Sequence, residues 1–297
     1  MTRRGWLLFA AMSVIWGVPY LMIRVAVREL SPATLVGART ALAALILLPL
    51  AAQRKQLAPL TRVWAPLLAF TAIEIVVPWL LLAKAETRLT SSLTGLLVAA
   101  VPLVGALVTT FTGERERHGM RRWAGLLVGL TGVVALVGLD VHGAEALAVL
   151  EVAGVAVCYA VGPIILSRWL ADTPPLGVVA VSLALAALVY LPFAAVSLPS
   201  SFPSAEVTLS VVGLAVLCTA VAFLLFFALI AEAGPVRATV ITYVNPVVAA
   251  VVGVAVLGEP FTFGMAVGFA LVLAGSLLAT AAVGQRRPVV EPKPAEL

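Results

Sequence analysis

The chain of 297 residues is 62% hydrophobic and only 11% charged, less than half of the roughly 25% charge a water-soluble domain carries, which excludes water as its main solvent. A formal net charge of +5 does not make it a partner for nucleic acid, because the Lys and Arg residues stand between and beyond the apolar runs and form no stripe. With a mean hydropathy of +1.13, it reads as an all-α integral membrane protein whose first partner is the lipid bilayer.

Apolar runs of about 20 residues match a hydrocarbon core of about 30 Å at about 1.5 Å rise per residue. Ten such spans are predicted in chain order, at about 5–27, 32–52, 63–84, 90–112, 120–139, 145–168, 176–197, 208–231, 235–257 and 262–284. The first imitates a signal peptide, but no small-residue cleavage site closes it, so it is expected to stay as a helix. Turn and helix-stop residues punctuate the rest: Ser31-Pro32, Gln53-Arg54-Lys55, Gly113 to Gly119, Asp172 to Pro175, Pro199 to Ser204, Gly234-Pro235 and Gly258-Glu259-Pro260. Residues 285–297 combine prolines and charges with no apolar period and are expected to form a disordered cytoplasmic tail. Cys158 and Cys218 fall inside apolar runs at no metal-binding spacing and read as packing residues.

If the N-terminus is cytoplasmic, the inner face collects Arg3, Arg4, Arg54, Lys55, Arg62, Arg115, Arg117, Arg121, Arg122, Arg168, Arg237, Arg286, Arg287 and Lys293. The outer face holds only Arg24, Arg28, Lys84 and Arg88, and Arg39 is the one basic residue left deep inside a span. That bias of fourteen to four predicts that both termini are cytoplasmic.

The order of residues repeats. Gly113-Glu114 and Gly119-Met120 recur as Gly258-Glu259 and Gly264-Met265, while Pro19, Arg24 and Pro102 match Pro163, Arg168 and Pro246. Residues 1–142 and 143–284 are therefore expected to be two five-helix repeats. Five is odd, so the second copy must enter the membrane with opposite orientation, which is the geometry of alternating access.

Trp16-Gly17, Arg39 at the head of the second apolar run, Pro102 followed by Gly113-Glu114, and Asn245-Pro246 followed by Gly258-Glu259 together resemble the EamA-type, ten-span transporters of the drug/metabolite transporter superfamily. The resemblance spans about residues 6–284. It implies a secondary carrier, often an exporter, of amino acids, metabolites or drugs, seated in a cell inner membrane, with a central cavity between the repeats.

Two ionisable residues lie at depth. Glu74 sits about 15 Å into its span and Arg39 about 10 Å from the outer end of its own, so the two are expected at similar depth and could pair. Such a pair serves either packing or function. Glu74 is the candidate for proton coupling, because an apolar setting favours the protonated carboxyl, whereas Arg39 keeps its charge and would anchor a substrate carboxylate. Trp16, Tyr20, Trp79, Tyr159, Tyr243 and Asn245 offer aromatic faces and hydrogen-bonding tips around the expected cavity.

The in-span prolines Pro19, Pro78, Pro102, Pro163 and Pro246 are expected to kink their helices, and Glu114 and Glu259 to stabilise turns or latch a gate. Glycine-rich closing spans read as packing faces, one use of which is a homodimer. His118 and His142 both fall in loops, and no zinc, nucleotide or paired-carboxylate motif is present. No cofactor or enzymatic activity is therefore expected, and the partner is a small-molecule substrate. With one cation at depth, that substrate should be neutral, zwitterionic or singly charged.

Overall fold

A computed structural model describes residues 1–111, 120–138, 144–197, 199 and 201–280. Glu114, both histidines and the tail lie outside these. The described residues fold into helices throughout. Nine are long and apolar enough to cross a membrane: Arg3–Ala26, Pro32–Gln53, Ala58–Ala85, Ser91–Val108, Met120–Val137, Glu145–Trp169, Pro175–Val196, Ala205–Ala233 and Phe263–Thr280. The shorter Ile241–Leu257, preceded by the helical turn Pro235–Ala238, completes ten spans as two inverted repeats, the fifth and the tenth closing their halves.

Hydroxyl caps and prolines start the helices. Ser31 accepts from the Thr34 amide with Pro32 in the first turn, Thr90 accepts from the Leu93 amide, and Ser204 from the Val207 amide, each supplying an acceptor to an end that lacks one. Gly258 closes the ninth span in the left-handed conformation, φ 65°, where a side chain would be strained. The in-span prolines act unequally. Pro19 and Pro102 break the first and fourth spans, each of which resumes as a second helix, Pro19–Ala26 and Val101–Phe111. Pro163 and Pro246 sit inside continuous helices.

Two departures from α-helix matter more. The third span turns π-helical at Ala72–Val76 and the eighth at Val216–Val221, at corresponding places in the two halves. A π turn holds one extra residue, rotates the rest of the helix about its axis and leaves a carbonyl without its usual amide. Tyr190 of the seventh span donates to the Val76 carbonyl, and Thr219 donates to the Leu214 carbonyl at 2.7 Å, so a hydroxyl satisfies each segment.

The heaviest contacts run between the halves. The fifth span packs on the tenth, the second on the seventh, the fourth on the ninth, the third on the sixth and the first on the eighth. Exchanging the repeats maps this pattern onto itself, as a two-fold axis in the membrane plane requires. The glycine faces of the closing spans are spent on each other: methyl groups on Gly125, Gly132, Gly268 or Gly275 would each strike backbone atoms of the opposite helix. Trp123, Leu127, Leu130 and Val134 point outward from the fifth span, as a lipid-facing stripe does. A homodimer would have to use a face other than these glycines.

Gly275→Ala should force the fifth and tenth spans apart and lower the thermal midpoint in detergent, overpacking costing about 1–3 kcal/mol. Gly105→Ala, where an added methyl meets nothing nearer than the Ala160 methyl at 4.0 Å, should leave the midpoint unchanged.

Candidate functional site

Midway along the bundle, where the halves face each other, the second span presents Arg39, 8% exposed. Its Nε donates to Thr219 Oγ1 at 3.0 Å, and its guanidinium carbon lies 3.8 Å from the centroid of the Trp79 ring. A cation on an indole face gains most when water is excluded, and the π segment of the eighth span is what turns Thr219 toward it. Cys218, Tyr159, Tyr20 and the Glu86 carboxyl lie within electrostatic reach of the guanidinium, and Trp79 neighbours Tyr159. Tyr20 packs against Gly95 of the fourth span, where a methyl group would meet its ring. Tyr20, Arg39, Trp79 and Tyr159 thus form one cluster drawn from the first, second, third and sixth spans.

Glu74 is not part of an ion pair with Arg39. Among the described residues the ion pairs are Arg28 with Glu206 and Arg88 with Glu151, and Arg39 has no carboxylate at that distance. The Glu74 carboxyl lies instead against the sixth span, where a methyl group on Gly162 would overlap it, and its Oε2 is buried without a hydrogen-bond partner. Depth placed the two residues at one level, but the π turn that contains Glu74 sends it to another side of its helix. Trp16 meets the Phe226 ring at a 46° tilt, centroids 4.8 Å apart, and Phe223 edge-on at 6.0 Å, forming a second aromatic group between the first and eighth spans. With its amide nitrogen toward them, Asn245 donates to the Ile241 carbonyl at 2.9 Å and the Ser13 carbonyl at 3.1 Å, tying the ninth span to the first. Tyr243 lies half-buried near the start of that ninth span.

The end of the bundle away from the N-terminus, the distal end, is fastened by groups the sequence pattern leaves unmatched. Glu259 reaches back to the start of the fourth span. One oxygen accepts from the Ser91 amide at 2.8 Å, the other from the Ser92 amide at 2.8 Å, the Ser91 hydroxyl at 3.0 Å and the Ser92 hydroxyl at 2.6 Å. A carboxylate at a helix N-terminus meets unpaired amides and the positive end of the dipole. Glu29 does the same for the eighth span, accepting from the Ser204 amide at 2.8 Å, and Ser197 hydrogen-bonds Ser31 and Thr34. Burial alone would raise the Glu259 carboxyl, but its bonds to Ser91 and Ser92 outweigh it and hold the group below the ordinary range. Thr219, Tyr190, Ser91, Ser92 and Glu86, which is buried beside this clasp, are the polar residues that sequence reasoning passed over.

A model of the EamA-like transporter family matches residues 3–138 and again residues 146–281. The chain is 31% identical over 262 residues to the uncharacterized inner membrane transporter YedA of Escherichia coli K12, covering 84% of this chain and 81% of that protein. YedA of Escherichia coli O157:H7 matches to the same extent. A solved crystal structure shares the fold at TM-score 0.66 with 22% identity, over 94% of this chain and 97% of the other.

The lowered Glu259 carboxyl contributes stability that is present above the ordinary glutamate range of about 4.3 and is lost as pH falls through its own lower value. The thermal midpoint of the wild-type protein should therefore fall on acidification below that range. Glu259→Gln should lower the neutral-pH midpoint and flatten the acid limb; an unchanged acid limb would show that the clasp does not stabilise the fold.

Proposed function

Because the chain belongs to the EamA-like transporter family, we propose that this multi-pass membrane protein is a secondary carrier that exports small organic solutes bearing one carboxylate, such as amino acids or related metabolites, by alternating access. The observation that carries the substrate class is Arg39: a buried guanidinium held by a neutral hydroxyl and an indole face, with no carboxylate of the described chain against it. A buried cation without a counter-charge is costly, and a bound carboxylate removes that cost through charge-assisted hydrogen bonds. With Nε committed to Thr219, the two terminal nitrogens remain to grip a carboxylate, while Trp79, Tyr20 and Tyr159 offer apolar faces to the body of the ligand.

The excess of Lys and Arg at the end holding the N-terminus supports cytoplasmic termini in a cell inner membrane, with the distal end outside. Export is supported by the distal fastenings, which would close the outer end while a solute enters from the cytoplasm. Glu74, half-buried in its π turn with one carboxyl oxygen buried and unsatisfied, is the candidate for binding a coupled proton. The aromatic group of Trp16, Phe223 and Phe226 favours a second reading, efflux of larger apolar drugs or metabolites, for which Arg39 would be dispensable.

Counterflow of labelled amino acids into proteoliposomes preloaded with the unlabelled compound separates these readings. Trans-stimulated uptake by the wild type should fall by about tenfold or more in Arg39→Ala, the ~1.5–3 kcal/mol of a charged hydrogen bond. Glu74→Gln should keep counterflow while losing any dependence on a proton gradient. Uptake unaffected by Arg39→Ala would overturn the carboxylate reading and leave the apolar one.

A further inference from the structure

Glu86 directly follows the third span and is completely buried, and neither of its carboxyl oxygens has a hydrogen-bond partner. The charged and titratable groups facing it come from each neighbouring element: Arg24 and Tyr20 from the first span, Arg39 from the second, and Glu259 from the turn after the ninth. Arg24, the obvious counter-ion, donates to the Glu86 backbone carbonyl and leaves the carboxyl oxygens bare. Glu259 has its oxygens filled by Ser91 and Ser92, so it holds a negative charge that an ionised Glu86 would confront. The Arg24 and Arg39 charges favour an ionised Glu86, but neither bonds its oxygens, and burial together with the facing Glu259 carboxylate opposes ionisation more strongly, so the protonated carboxyl costs less.

The second repeat supplies a comparison. Ala85-Glu86 closes the third span and Ala231-Glu232 closes the eighth, its counterpart in the other half. Glu232 lies at the opposite end of the bundle, partly exposed, and accepts from the Thr2 hydroxyl at the start of the first span. Equivalent glutamates therefore sit in opposite settings, one sealed and bare at the fastened end, one accessible and hydrogen-bonded at the other.

We propose that Glu86 is a proton-binding site that governs the distal end: it is protonated while the Glu259 clasp is shut, and releases its proton to the aqueous phase when that end opens. The balance is a single O–H bond broken, with the proton passing to water and the negative charge remaining on the newly hydrated carboxylate. The use of this switch, coupling a proton to solute movement, rests on the carrier reading; the switch itself does not, and its test needs no solute. The shut form binds one proton more than the open form, so raising pH favours opening, by up to tenfold in the ratio of open to shut per pH unit.

The test is a distance measured between spin labels at Thr87→Cys and Phe261→Cys, exposed positions beside Glu86 and Glu259, in full-length protein in nanodiscs with Cys158 and Cys218 replaced by alanine. In the otherwise wild-type chain the longer-distance population should grow from pH 5 to pH 8. Glu86→Gln should hold the short distance at every pH, and Glu86→Asp should keep the pH dependence. A distribution that ignores pH in the wild type, or a pH dependence that survives Glu86→Gln, overturns the proposal. Should Glu86→Gln fail to fold, the wild-type and Glu86→Asp profiles decide on the same terms, pH dependence supporting the proposal and its absence overturning it. None of these outcomes bears on whether Arg39 binds a carboxylate, which counterflow reads separately.

Discussion

A guanidinium cannot leave water unless something receives its charge, and the arrangement around Arg39 answers that constraint. The hydrocarbon phase offers no hydrogen bonds, so every backbone group must be satisfied within its own helix or by a neighbour. Regular helices have nothing to spare for a buried cation. The eighth span does, because its π segment carries an extra residue that brings Thr219 to face the second span while its hydroxyl also serves the Leu214 carbonyl. The third span supplies the other support, Trp79, just past a π segment of its own. The two irregular turns stand at corresponding places in the repeats.

The same symmetry makes the differences between the ends informative. The pairings of second with seventh, fourth with ninth and fifth with tenth span are unchanged when the halves exchange roles, so they can form the frame about which the rest rocks. The glycine faces of the fifth and tenth spans belong to that frame. The fastenings at the distal end do not. Exposed pairs such as Arg28 with Glu206 add little, whereas a carboxylate in the unpaired amides of a helix start, as Glu259 is, makes several bonds at once and can be given up as a unit.

Much of the fold was legible in the residues. Apolar run length, proline and glycine punctuation and the recurrence of Gly113-Glu114 as Gly258-Glu259 led to ten spans in two inverted halves, because the bilayer permits few alternatives. The burial of Arg39 was legible for the same reason. Its partner was not. Counting residues from a helix end gives depth at about 1.5 Å per residue, but direction around the axis depends on every turn being regular. A π segment rotates every later residue of its span, and nothing in Ala72–Val76 or Val216–Val221 announces one. The break at Pro19 was likewise legible as a kink but not as two helices. Glu86 escaped for a different reason. A carboxylate one residue past an apolar run looks like a loop residue at the water surface, and only tertiary packing buries it. The recurrence of Ala85-Glu86 as Ala231-Glu232 was the available signal. Ser91 and Ser92 look like ordinary first-turn residues until the distant Glu259 is brought to their amides.

The central claim is that Arg39 is a carboxylate anchor whose charge is completed by the solute. It is tested most directly by equilibrium binding to the purified wild-type protein of matched pairs of solutes, each amino acid against its own amide, which share a body and differ in the group presented to Arg39. At least one acid should bind about tenfold or more tightly than its amide, with the preference abolished in Arg39→Gln. Equal binding of acids and amides, or a preference that survives Arg39→Gln, would contradict the claim.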